Sequence, residues 1–165
     1  MKTKNHNTRR KFFHMDITGT QKIKAPQQQV FSALLNPEVL QESIPGCENA
    51  KVVDTANGQQ LKLKISPSIP GFKGPYVVFL RTGEVIPPSR VVLLTEPNSS
   101  MGSIKAICTV DLSNDPEGTL LNYSAHAEME GKIASTPEVV LKGTLKMALG
   151  QFFKNFEKQV STIPA

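Results

Sequence analysis

From Glu138 to Val160 the chain places Leu141, Leu145, Leu149, Phe152, Phe156 and Val160 at steps of three or four residues. That spacing predicts a helix of about 20 residues with one apolar stripe. The stripe has to be covered, so whatever precedes this helix must supply an apolar face of matching length. Gly143 and Gly150 sit in the same segment with Met147 between them on one face. A glycine inside a helix costs roughly 1 kcal/mol relative to alanine, so two of them ask for a reason. Either strand backbones approach closely there, or the missing side chains leave room for a ligand. Both readings set the Gly143/Met147/Gly150 face, and with it Val140, against a sheet.

What precedes the helix is strand-like. Ile17–Ala25 alternates well enough for a first strand. Pro26 suits the first turn of a helix in which Val30, Phe31, Leu34 and Leu35 form the apolar stripe. Asn36-Pro37 then pairs an N-cap residue with proline at the first helical position, and Pro45-Gly46 ends this second short helix. Beyond it the period is two. Lys51–Thr55 and Gln59–Ser66 flank Asn57-Gly58, a strong hairpin signal. Further strands are expected at Tyr76–Ile86, Arg90–Thr95, Ser103–Leu112 and Thr119–Glu130, with short turns that favour an antiparallel meander. The expected class is α+β. An antiparallel sheet of six or seven strands wraps the long C-terminal helix, two short helices follow strand one, and an apolar pocket lies between: a helix-grip fold.

Charge excludes one class of partner. The chain has 165 residues and a net charge of +5, but Lys2, Lys4, Arg9, Arg10 and Lys11 supply that excess within residues 1–14. The remaining 14 basic residues balance the 14 acidic ones. A nucleic-acid binder shows its basic excess on the folded domain, so none is expected here. Residues 1–14 read as a disordered basic tail and residues 15–163 as one domain, with Met15 a candidate start. The tail's twin arginine lacks the apolar run an export signal needs, and no stretch approaches the roughly 18 apolar residues of a membrane span. A cytoplasmic location is expected. Cys47 and Cys108 stand alone, without metal-ligand spacing, so neither a zinc site nor any other resident cofactor is expected.

Ile44-Pro45-Gly46-Cys47-Glu48, placed after the Asn36-Pro37-Glu38 helix start, resembles the CoxG family, a family of carbon monoxide dehydrogenase subunits. Gly71-Phe72-Lys73-Gly74 before a long strand, Pro87-Pro88 after it, Gly118-Thr119, Gly131-Lys132-Ile133-Ala134 and Phe152-Phe153 agree with it. The likeness covers about residues 15–160. It implies the START-like (SRPBCC) helix-grip superfamily and a central cavity for hydrophobic molecules. It also implies accessory service to molybdenum-containing carbon monoxide dehydrogenases and similar redox enzymes, as membrane-recruiting factors or carriers of lipid-like quinones. Two departures stand out. Ser135-Thr136-Pro137-Glu138 replaces a Gly-Ser-Arg-like helix start, and the chain stops at Ala165 without the Pro-rich linker and apolar anchor of some relatives.

Residues that would carry chemistry are sparse. His126, Glu128 and Glu130 share one strand face, opposite Leu121, Tyr123, Ala125, Ala127 and Met129, so they belong to the wet side. No nucleophile elbow or phosphate loop is present. Binding fits better than catalysis. Residues Tyr76–Leu80 are apolar on both faces of one strand, which invites a second partner such as a dimer mate or a membrane surface. Leu40 and Ile44 from the short helix, Phe72 from the loop before that strand, Tyr76 and Tyr123 from strands, and Val140, Gly143 and Met147 from the long helix are the candidate cavity residues. The two phenols could hydrogen-bond a ligand head group, and methionine adapts to an uneven tail. Three functions follow in order. The first is a non-catalytic carrier of a quinone or lipid-like ligand, accessory to a molybdenum hydroxylase and peripheral at the inner membrane face. The second is an assembly or recruitment factor acting through surface contacts. The third is a small cyclase or hydrolase of the same fold.

Overall fold

The computed structural model describes residues 12–56, 58–67, 74–96, 98–99 and 102–161. Strand β1 (Phe12–Ile23) leads into helices α1 (Gln27–Leu34) and α2 (Pro37–Ser43). Strands β2 (Cys47–Thr55), β3 (Gly58–Ile65), β4 (Tyr76–Ile86), β5 (Arg90–Thr95), β6 (Asn98–Ser99), β7 (Gly102–Asp115) and β8 (Gly118–Glu130) follow. A short 3-10 turn (Lys132–Ser135) precedes the long helix α3 (Glu138–Ser161). The strands form one antiparallel sheet in the order β1-β8-β7-β5-β4-β3-β2, with β6 paired to β7. The α+β helix-grip expectation therefore holds, down to the bounds of β4 and β5.

Two local differences have plain causes. Strand β1 starts at Phe12 rather than Ile17, because Phe13 and Met15 pair with Met129 and Ala127 of β8 and bury their side chains. Three residues assigned to the basic tail are thus strand. Pro26 stands at the N-cap of α1, one position before its first turn, and Gln27 opens the helix. The α2 start is as read. Asn36 Oδ1 accepts from the Glu38 and Val39 amides at 2.9 and 3.4 Å, and Pro37 occupies the first turn. The turn residue Asn57 lies outside the described residues, but Thr55 pairs with Gly58 in the register the hairpin requires.

The sheet has one apolar and one charged face, as period two demands. The buried residues on the apolar side gather in three groups. The largest joins α1, the centre of the sheet and the C-terminal half of α3, through Phe31, Leu34, Val110, Leu121, Phe153 and Phe156. A second joins Phe13, Met15 and Met129 to Leu141 near the start of α3. The third is Leu40 of α2 on Leu61 and Leu63 of β3. Side-chain amides hold the helices in place. Asn155 donates to the Ser43 carbonyl at 3.1 Å, Gln29 to Val160 at 3.1 Å, and Gln27 to Pro88 at 3.0 Å. Each ties a helix to a carbonyl in a distant segment, and two of those carbonyls lie at helix ends that need such donors.

Candidate functional site

Between those three groups, the inward surface is apolar but incompletely buried. Leu93, Cys108 and Tyr123 of the sheet and Leu149 and Phe152 of α3 face the largest group, yet each keeps part of its surface accessible. Tyr76, Ile104 and Leu145 do the same beside the second group. Side chains in a fully packed core would be closed off, so these residues mark the part of the inward surface that is incompletely covered.

Tyr123 is held there by two neighbours, Phe153 and Gly19. Its ring stacks on Phe153 with centroids 4.3 Å apart and planes 18° from parallel. Phe152 meets Phe153 edge-on at 4.7 Å, so the aromatic stack is held from α3. On the other side the ring tip lies over Gly19, its pairing partner on β1, where any Cβ would collide with the phenol. Burial raises the Tyr123 phenol above its ordinary range, and the nearby Cys108 adds to the shift. Burial alone pushes the Cys108 thiol up to about 11. Both groups therefore stay protonated and neutral at physiological pH.

The sequence-based cavity residues divide into two sets. Leu40 is buried in the third group, and Ile44 lies half-buried against it with Phe152. Tyr76 packs beside the second group and Tyr123 beside the first. Phe72 lies outside the described residues. The helix residues must be corrected: Met147 is 75% exposed, Gly143 is exposed, and Val140 is half-buried without joining any core group. At about 100° per residue, Met147 lies half a turn away from Phe156, so the two cannot face the same sheet. Leu141, Leu145, Leu149, Phe152 and Phe156 bury far more apolar area and set the orientation. A Cβ at Gly143 or Gly150 would meet nothing within 4 Å, so no strand backbone approaches either glycine. Sequence reasoning does not reach Gly19, Phe153, Leu93 or Cys108 as site residues. Phe152-Phe153 offers a signal, but the Gly19–Tyr123 pairing depends on strand register across more than a hundred residues.

The polar cluster sits on the other face of the sheet. His126 Nδ1 contacts Asp16 at 2.7 Å and Nε2 contacts Glu128 at 2.9 Å. Those two hydrogen bonds, Glu128 first, raise the His126 pKa, and His126 lowers that of Glu128. His14 approaches the imidazole edge-on at 6.4 Å. As read from the alternation, this face is turned away from α3. Among the described residues no group of three His, Cys, Asp or Glu side chains could hold a metal, and no helix is long and apolar enough to cross a membrane.

Solved structures share this architecture. A conserved protein from Geobacillus kaustophilus is 27% identical over 89% of this chain and 95% of its own, with a TM-score of 0.74. A START superfamily protein from Mycobacterium smegmatis matches 92% of this chain and all of its own at 16% identity, with a TM-score of 0.70. The di-domain ARO/CYC StfQ from the steffimycin biosynthetic pathway matches 90% of this chain and 51% of its own at 11% identity, with a TM-score of 0.67. The fold is thus START-like, of the helix-grip kind. Among curated proteins, none matches the chain. The family model of CoxG, a carbon monoxide dehydrogenase subunit, matches residues 19–161, and the chain belongs to that family. Family and fold together point to a ligand-binding accessory protein.

Proposed function

We propose that the protein holds a hydrophobic small molecule, quinone or lipid-like, between the sheet and α3. It does so without catalysis, as an accessory to a molybdenum-containing redox enzyme of the carbon monoxide dehydrogenase kind. The observation that carries this reading is the half-buried inward surface of Leu93, Tyr123, Leu145, Leu149 and Phe152, which no other part of the described chain covers. An apolar recess with few polar points is what a ligand site of this type requires. Family membership supports the enzyme partner. Solvent extraction of protein purified from two unrelated hosts, followed by mass spectrometry, tests the ligand. A common apolar compound near one equivalent is expected, and empty protein from both hosts would sink the reading.

A recruitment role through surface contacts has its own support. The outward rows of β4, β5 and β7 carry Phe79, Leu94 and Ile107, the last 39% exposed, among the charged residues Lys62, Arg81 and Lys105. Co-purification of a dehydrogenase component, tested with the interior filled by Leu93→Trp, separates the two roles. Retained co-purification without ligand favours recruitment; joint loss favours the carrier. A peripheral membrane contact or a homodimer would use this same face.

A further inference from the structure

We infer that the bound molecule is uncharged and carries an oxygen acceptor that takes a hydrogen bond from the Tyr123 phenol, so that ionised lipids are excluded. This rests on the carrier reading above and names the class of ligand it would admit.

The register sorts the side chains of the sheet by face. Tyr123 stands level with Gly19 on β1 and Val110 on β7, Val110 with Val91 on β5, and Leu80 on β4 with Leu61 on β3. Followed along each strand at every second residue, and across the irregularity of β4 that steps from Thr82 to Val85 and leaves Glu84 with Arg90 outside, the inward rows of β1, β3, β4, β5, β7 and β8 carry no charged residue among the described residues. The inward stripe of α3, from Leu141 to Val160, carries none either. Charge is confined to the opposite rows, through Lys64, Arg81, Arg90, Lys105, Asp111 and Glu128. A carboxylate or phosphate drawn against these rows would lose its hydration and find no cation among their described residues to replace it.

One polar group is positioned to orient a neutral ligand. The Tyr123 ring is clamped between Phe153 and the bare backbone of Gly19, and its hydroxyl has no hydrogen-bond partner among the described residues. A phenol held in that way loses little freedom on binding, and its O–H is available to a carbonyl, ester or ether oxygen. The raised phenol and thiol pKa values keep it a donor in a neutral surround.

The test uses the full chain and diphenylhexatriene, an uncharged hydrocarbon dye that fluoresces in apolar sites. Displacement is compared for methyl nonyl ketone and undecanoate, which share chain length, at about pH 8, where the acid is ionised. The ketone should displace the dye at concentrations about 100-fold lower or less than the carboxylate needs. Tyr123→Phe keeps the stacked ring, so dye binding should persist while the ketone weakens about 3- to 10-fold. Equal potency of ketone and carboxylate overturns the exclusion of ions, and an unchanged ketone affinity in Tyr123→Phe overturns the role of the phenol. Failure of the wild-type protein to bind the dye at all removes the carrier reading itself, which the other two outcomes leave standing.

Discussion

The two halves of α3 are built for different work. Its C-terminal half buries Phe153, Phe156 and Val160 almost completely, and side-chain amides at Asn155 and at Gln29 lock it to α2 and α1. Its N-terminal half has Leu141 as its only fully buried side chain among the described residues, with Leu145 and Leu149 half-covered. Val139 and Met147 stand 82% and 75% exposed, and both helix glycines face open space. One half is core in the ordinary sense. The other packs more loosely, with its apolar stripe incompletely covered, and the proposed ligand would sit beneath it.

The sharpest way to break this contrast is truncation. Phe156→Ala should cost about 3–5 kcal/mol in chemical denaturation, because the closed end cannot collapse around the hole. Leu145→Ala, half-buried in the other half, should cost under about 2 kcal/mol. Equal losses would mean that the two halves are packed alike. Next in size is Gly19→Ala, expected to lose about 1–3 kcal/mol as its methyl drives the Tyr123 ring off Phe153. The loss should shrink in a Tyr123→Leu background, where the phenol no longer occupies that space; a loss of the same size there would locate the strain elsewhere.

Glycine in the open half should behave in the opposite sense. Gly143→Ala meets nothing within 4 Å and should stabilise the protein by up to about 1 kcal/mol through helix propensity, read as a higher Tm. A lower Tm would restore the idea that this glycine admits a close neighbour. The smallest effect belongs to the outer face of the sheet. His126 has a raised folded-state pKa, so its ion pairs with Glu128 and Asp16 add stability that is fully present below the ordinary histidine range. That stability is lost as pH rises through the elevated folded value. His126→Gln should flatten this pH dependence in denaturation curves while leaving dye binding unchanged.

Much of the fold was legible because its signals are local. Asn36-Pro37 specifies a helix start through one side-chain acceptor and one fixed φ, and the structure has both. Strand alternation set the bounds of β4 and β5, and it separated His126 and Glu128 from Tyr123 correctly. The start of β1 was less legible, since Phe13 and Met15 look like a tail until Met129 and Ala127 lie opposite them. Alternation places Tyr76 and Tyr123 on the inward strand face, and helix spacing places Leu40 and Ile44 against β3, where the structure has them; their contact with a ligand is part of the proposal.

The sequence alone determined the order of elements, the helix starts, which face of each strand is wet, and membership in a START-like family. Those properties follow from periodicity, capping chemistry and short motifs, each confined to a few neighbouring residues. Tertiary structure decided which stripe of α3 meets the sheet and what the glycines do. Two stripes competed for one helix, and the Leu/Phe stripe prevailed because it removes more apolar area from water. That choice turned Met147 and Gly143 outward. It also brought Phe153 onto Tyr123 above Gly19, a contact fixed by register between strands far apart in the chain.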